Sequence, residues 1–339
     1  YYPSFMPYNL YLEDSEDIDA RVNNLTNFYY WCSSRVLTLG RKYAKEILRA
    51  IGAGQAATDK DREMLAVSYH GLTLTDVFWI RSADEKISFE HLSLYSHSLS
   101  GAFADVSLRG KEITLQNAEL LMPGDAATDV STCGISPKAW IRENGLFFLL
   151  KDGDARDVWA ELLASKIAGC FQIDSVPYEK SCFEGIKVSK CGLITSEQRS
   201  IVPYEFVEVY CVNHNKNSLE FVLRKDRYSY YMMNVIDYLT GNTDRHWGNW
   251  GFWVDNRTNR LQGLYPLMDF NKAFLAYDTI EGARCQTTDN VMTQQDAAIE
   301  AVKKIGLNQI SEIKEEWFTD SAIREMFFKR LAVLQRYAH

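Results

Sequence analysis

The run Asn242-Thr243-Asp244-Arg245-His246-Trp247-Gly248-Asn249, with Asp269-Phe270-Asn271 twenty residues beyond it, constrains this chain more than any other stretch. A carboxylate, Asp244, stands five positions before an amide, Asn249, and a second carboxylate, Asp269, follows after a short interval. That interval reads as a hairpin. Trp250-Gly251-Phe252-Trp253-Val254 and Leu261 to Met268 are apolar and strand-like, and Asp255-Asn256-Arg257-Thr258-Asn259-Arg260 is the turn between them. Such a hairpin returns Asp269 to the end from which Asn249 departed. An amide oxygen and a carboxylate gathered there suit a hard cation such as Mg²⁺ held against phosphate oxygens. Asp244 remains to orient an attacking hydroxyl and accept its proton. The pattern points to phosphoryl transfer.

At 339 residues the chain can bury one large core or two lobes. Its 46% hydrophobic and 24% charged residues are ordinary for a folded globular protein. No run approaches the apolar length that crosses a bilayer, and Tyr1-Tyr2-Pro3-Ser4 has no basic region leading into an apolar one. A cytoplasmic protein with no membrane partner is the expectation. The net charge of -8 argues against direct nucleic-acid binding and leaves room for a local positive cleft. Cys32, Cys133, Cys170, Cys182, Cys191, Cys211 and Cys285 are scattered and never form CxxC, so reduced, mostly buried thiols are expected rather than a zinc site.

The spacing predicts three regions. Residues 1–122 form a helical accessory region, with helical patterns over Asn23 to Ile51 and Asp61 to Val67 and a β-prone stretch from Leu72 to Ile80. The loop signal Met122-Pro123-Gly124-Asp125-Ala126 closes it. Residues 123–212 make a mixed smaller lobe. There Lys138 to Arg142 and Leu146 to Lys151 flank Glu143-Asn144-Gly145 as a hairpin, a helix runs from Asp157 to Phe171, and strands fall at Gly185 to Val188 and Cys191 to Ile194. Residues 213–339 make a mainly helical larger lobe. A helix from Arg227 to Leu239 stops at Gly241, and Ile310, Ile313, Trp317, Ile323, Met326, Phe327, Leu331 and Leu334 supply a later apolar face.

Protein kinases order their parts this way: a catalytic aspartate, an asparagine metal ligand, then a metal-binding aspartate in an Asp-Phe pair. They also need a cation on the nucleotide phosphates, oriented by a helix carboxylate. Lys151 ends the strand Leu146-Phe147-Phe148-Leu149-Leu150, and Glu161 lies on the next helix. Either residue alone is more often a solvated surface group; their order before Asp244 raises the pair above that. Ser131-Thr132-Cys133-Gly134-Ile135-Ser136-Pro137-Lys138 precedes the lysine strand, and its glycine and small polar residues suit a phosphate-approaching loop, with Lys138 adding charge. It carries neither a Walker pattern nor GxGxxG, so alone it reads as a polar loop. His246 lacks the further nitrogen or sulfur donors of a zinc or iron site and reads, with Arg245, as support for the loop.

Together these segments resemble the HipA-like serine/threonine kinases, from about Ser131 to Phe274 and more loosely through the C-terminal helices. Gly241 to Asn249 is similar to that family's catalytic loop almost residue for residue. The ending Asn249-Trp250-Gly251-Phe252 resembles its shorter, proinflammatory (CtkA-like) branch, and Glu161 to Ala168 with Val176-Pro177 its helix after the lysine. The resemblance implies an α+β, two-lobed protein-kinase-like fold, ATP and Mg²⁺ as cofactors, and a protein Ser/Thr acceptor. Asp244, Lys151 and Glu161 would be catalytic. Gly134, Ser136, Lys138 and Lys151 would meet the phosphates, Cys191 and Leu193 the adenine, and Asn249 and Asp269 the metal. Kinases of this type can phosphorylate a serine of their own phosphate loop, and Ser131 is the position indicated.

Two departures stand out. Asn271 occupies a place where the family generally has aspartate. Residues 1 to about 120 do not resemble the subdomain that meets a DNA-binding antitoxin, which counts against an antitoxin partner. Two other readings share the motif: a nucleotide-binding pseudokinase acting as an interaction module, and a kinase acting on a small molecule.

Overall fold

The computed structural model describes residues 2–338 except 57, 97, 98, 100, 112–130, 133, 134, 153, 276, 289 and 290. The loop expected at Met122 to Ala126, and with it the boundary at 122–123, lies outside the described residues, as do Cys133 and Gly134. The class is α+β, with helices and antiparallel hairpins. Two compact units are present. One comprises Tyr1–Asp152, Gly192–Ile201 and Val254–Arg260; the other comprises Gly153–Cys191, Val202–Trp253 and Leu261–His339.

In the first unit, helices Ile18–Ser33, Ala44–Ala50 and Asp59–Ser68 are each built from the local sequence. Asp17 caps the first through the N–H groups of Asp19 and Ala20, and Thr58 with Asp61 forms a capping box on the third. Trp31, Val36, Leu37, Ile47, Leu48, Leu65 and Phe103 meet in their core. The pattern from Asn23 to Ile51 is therefore two helices rather than one. Tyr43 at φ 65° breaks it, and Arg35 fills the gap by gripping both oxygens of Asp76 at 2.9 and 2.7 Å.

The stretch Leu72 to Ile80 is not a strand. Thr73 Oγ1 accepts the N–H of Thr75 and of Asp76, and Asp76 Oδ1 accepts that of Phe78, so side chains take backbone groups that a strand would commit to a ladder. Strands β1 (Lys138–Glu143) and β2 (Leu146–Lys151) form the expected hairpin. Its turn residues Asn144 and Gly145, at φ 52° and 82°, are both left-handed, as a two-residue hairpin with right-handed strand twist requires.

In the second unit, Asp154 caps the helix Ala155–Ala168. Strands β3 (Glu179–Phe183) and β4 (Ile186–Gly192) then pair antiparallel about Glu184-Gly185. One continuous strand thus replaces the two expected at Gly185 to Val188 and Cys191 to Ile194. Strand β3 carries no buried side chain, so hydrophobic pattern could not announce it. A sheet in the order β5 (Arg199–Pro203), β6 (Gly251–Asp255) and β7 (Arg260–Leu264) contains the expected hairpin.

The helix Ser218–Thr240 is longer than expected, but Asp226 interrupts it at φ −155°, ψ 77°. The Asp226 carboxylate accepts the N–H of Ser229 at 3.0 Å and of Leu264 at 2.9 Å, so Arg227 does begin a helical run. Helices Gln294–Ile305 and Ser321–Gln335 complete the unit. Phe327, Leu331 and Leu334 are buried as expected, whereas Ile310 is 63% exposed and lies outside that face. Among the described residues no helix is long and apolar enough to cross a membrane. The described cysteines are all unbonded, and Cys182 alone of them is exposed.

Candidate functional site

Gly241 delivers the loop. It ends the helix Ser218–Thr240 in the left-handed region at φ 56°, ψ 37°, and its N–H caps the carbonyls of Asp237 and Tyr238. A Cβ here would meet the Tyr277 ring at 2.5 Å, so conformation and space both require glycine. The chain then runs irregularly from Asn242 to Asn249 before entering β6.

Arg245 organises this loop. Its side chain is buried, and its Nε and Nη2 pair with the Asp237 carboxylate, Nε at 3.0 Å to Oδ2. Its Nη1 donates to the carbonyl of Asn249 at 2.9 Å and of Met268 at 2.8 Å. One guanidinium thus holds the backbone of Asn249 and of the residue before Asp269. Burial works against the charge of Arg245, but the Asp237 carboxylate outweighs it and the pKa stays above its ordinary value. The expectation that Arg245 supports the loop acquires a specific geometry.

Asp269 sits at φ 63°, a region that non-glycine residues adopt only when their surroundings hold them there. Its N–H donates to the Tyr178 hydroxyl at 3.3 Å. Asn249 donates its Nδ2 to the carbonyl of Asp244 at 2.6 Å, so Oδ1 is the side-chain atom that could hold a metal. Asp244 is half-buried, and its pKa is raised. Burial is the main cause; the charge of His246 opposes the rise, and the nearby Asp269 carboxylate adds to it. Asp244, Asn249 and Asp269 are therefore neighbours within one unit.

Around them, Lys272 pairs with Asp157 at 2.6 Å and also lowers the pKa of Asp244. Glu205, its pKa raised by burial, faces His246, whose Nδ1 accepts the N–H of Gly248 at 3.0 Å. In the neutral ring that bond places the proton on Nε2.

These residues fit a hard cation that is shared with phosphate. The donors are oxygens only, one amide and one carboxylate, and the carboxylate is presented from a strained backbone. Among the described residues no group of three or more His, Cys, Asp or Glu is placed to hold a metal. A site of two protein oxygens matches the way Mg²⁺ keeps water and takes phosphate oxygens, rather than a full protein cage. Asn271 Oδ1, two residues on, is buried with no hydrogen-bond partner, a further oxygen at this end of the site.

The expected phosphate-binding residues lie in the first unit. Lys138 and Lys151 are directly opposite in the β1–β2 register, and both are buried. Residues facing each other across a ladder share one face of the sheet, so the two ammonium-bearing chains leave the hairpin together. Arg41 braces the preceding loop, donating Nη1 to the carbonyl of Thr132 at 3.0 Å and Nη2 to that of Lys138. Ser131 is half-buried within that loop, as is Ser136, and Gly134 is outside the described residues.

Leu193 donates its N–H to the carbonyl of Phe147 at 3.0 Å, so that amide is committed, while Cys191 is buried at the end of β4. Glu161 is buried in the second unit and accepts a hydrogen bond from Ser189 Oγ. Lys151 and Glu161, expected as an ion pair, belong to different units.

Sequence reasoning missed Asp237, Tyr178 and Glu205. Asp237 had a signal: it is the one charged residue in the otherwise neutral run from Tyr228 to Gly241. A carboxylate there needs a buried partner.

No protein-family model and no curated relative matches the chain. Solved structures similar to it include two bacterial ones. One is the Helicobacter pylori proinflammatory kinase CtkA, at 16% identity over 59% of this chain and 90% of that one, with a TM-score of 0.43. The other is a chain of the Shewanella oneidensis MR-1 toxin–antitoxin complex of HipA, HipB and operator DNA. It is 12% identical over 92% of this chain and 86% of that one, with a TM-score of 0.44. Likenesses of this size favour neither branch of the kinase family, and the functional reading rests on the chain's own residues.

Proposed function

We propose that the chain is an ATP- and Mg²⁺-dependent phosphotransferase of the HipA-like kind, acting on serine or threonine hydroxyls of a protein. The observation that carries the reading is the Arg245 bridge to the carbonyls of Asn249 and Met268. It holds the backbone at an amide and beside a carboxylate, and the Asn249 amide in turn holds the carbonyl of Asp244, so the set that phosphoryl transfer needs lies in one loop cluster.

In this reading Asp244 holds the acceptor hydroxyl and takes its proton; burial makes it a stronger base than an ordinary aspartate. Asn249 and Asp269 hold Mg²⁺, which when bound neutralises charge on the phosphate oxygens. Lys151 and Lys138 hold the phosphates, Glu161 orients Lys151, and Ser136 with its loop lies along them. The adenine lies beside Cys191 and Leu193, where Leu193 contributes its side chain or carbonyl, since its N–H is already engaged.

The test is transfer of labelled phosphate from ATP with Mg²⁺ to a mixed protein acceptor, beside Asp244→Ala and Asp269→Ala. Mg²⁺-dependent protein labelling lost in both variants is expected. Nucleotide binding without any transfer would instead make the chain a pseudokinase, and label on a small hydroxylated acceptor alone would move the substrate class.

A further inference from the structure

We propose that Asp237, which touches neither metal nor substrate, is the positioning residue that sets the spacing of the metal ligands Asn249 and Asp269, acting through Arg245. The proposal rests on the metal-assisted reading of the site and concerns which residue makes that site selective for Mg²⁺.

Asp237 lies in the last turn of the helix Ser218–Thr240, with neighbours Val235, Ile236, Tyr238 and Leu239 all fully buried. It is 4% exposed itself. A carboxylate so placed must be paired and hydrogen-bonded to remain charged. Two residues of the loop supply this. Arg245 Nε and Nη2 donate to it at 3.0 to 3.3 Å, and Asn242 Nδ2 donates to Oδ1 at 3.2 Å.

Each of those residues passes the constraint onward. Arg245 Nη1 reaches the carbonyls of Asn249 and Met268. Asn242 Oδ1 accepts the N–H of Asp244 at 3.2 Å, and the Asn242 carbonyl is itself held by Gln294 Nε2 at 2.6 Å. Asp244, Asn249 and the residue before Asp269 are thus each one side chain removed from a single buried carboxylate. Arg245 also lies over the Phe270 ring, at 5.3 Å, so its plane is held on a second side.

Stability alone does not account for such a pair. Well-packed apolar residues of similar volume often replace a buried ion pair with no loss of stability. A planar fork fixed by one carboxylate and bound to two separate backbones, however, sets a distance between them that apolar packing would not. The backbones concerned carry the two metal ligands. Mg²⁺ demands near-ideal octahedral geometry at short distances, whereas Ca²⁺ accepts flexible geometry at longer ones. Loosening the brace should therefore penalise Mg²⁺ selectively, which a merely structural defect would not.

The experiment is calorimetric titration of a non-hydrolysable ATP analogue at graded Mg²⁺ or Ca²⁺, on the full chain, with a thermal melt of each protein. The variants are Asp237→Asn and Arg245→Lys; the lysine keeps a charge but lacks the planar group that holds the Asp237 carboxylate through Nε and Nη2 while Nη1 reaches both carbonyls. The wild type should need Mg²⁺. Each folded variant should need roughly 10–100-fold more Mg²⁺ for half-saturation, the usual effect of removing support behind a metal ligand. Its Ca²⁺ requirement should change far less.

An unchanged Mg²⁺ requirement in a folded variant overturns the proposal, as does equal weakening for both ions. If Asp237→Asn does not fold, Arg245→Lys decides by the same criterion. Loss of fold in both assigns the pair a structural role and overturns the proposal too. Wild-type binding that ignores Mg²⁺ rejects the metal reading itself, whatever the variants do.

Discussion

Lys138 stands directly opposite Lys151 at the open end of the β1–β2 hairpin, and both side chains are buried. In the proposed function both ammonium groups meet the nucleotide phosphates. Lys151→Met should weaken ATP binding about tenfold or more, the loss of one charge-assisted hydrogen bond. Calorimetry on a variant with a wild-type melt checks it, and unchanged affinity removes Lys151 from the site.

Asp244 should trade stability for function. Its raised pKa means that the folded protein holds this proton more tightly than the unfolded chain does. As pH rises through the ordinary aspartate range and then the raised value, the group turns against the folded state, and it remains unfavourable at neutral pH. Without Mg²⁺, Asp244→Asn should therefore melt higher than wild type at pH 7, with the difference vanishing in acid. Phosphoryl transfer should fall by roughly 10²–10⁴-fold, the range for losing a general base. A variant that melts lower at pH 7 would show that the carboxylate is favourably paired.

Asp269 and Asp244 should separate in binding. Asp269→Ala removes a proposed metal ligand and should weaken Mg²⁺-dependent nucleotide binding, while Asp244→Ala, which removes the group proposed to act on the acceptor, should leave it nearly intact. The reverse order in a titration would exchange their roles.

Gly241→Ala should destabilise the protein by about 1–3 kcal/mol, because a non-glycine residue must be held left-handed there. The clash with the Tyr277 ring adds to this. Denaturant unfolding measures it. A loss under half a kilocalorie would mean that the cap relaxes.

Ser131 should gain phosphate when the protein is incubated with ATP and Mg²⁺, and the modified protein should bind ATP more weakly. Nearly two added negative charges would oppose the nucleotide phosphates. Peptide mass analysis decides it, and an active preparation with no phosphate on residues 131–136 rejects the idea.

The sequence by itself determined the candidate site residues' spacing and the local elements that present them. Spacing alone placed Asp244, Asn249 and Asp269 around a hairpin, and Asn144-Gly145 fixed the lysine hairpin, because turn and strand patterns are local. The halt at Gly241 was legible for the same reason. Tertiary structure decided the rest. That Lys138 faces Lys151 is a matter of register, which a one-residue slip would have undone. That Leu72 to Ile80 is irregular depends on Arg35, Thr73 and Asp76 capturing its backbone, and β-propensity is blind to such competition. That Asp237 governs the loop could not be read from a linear pattern. Its partners are five and eight residues on, the Met268 carbonyl that Arg245 reaches lies a further twenty-three beyond it, and only a packed interior brings one carboxylate to all of them.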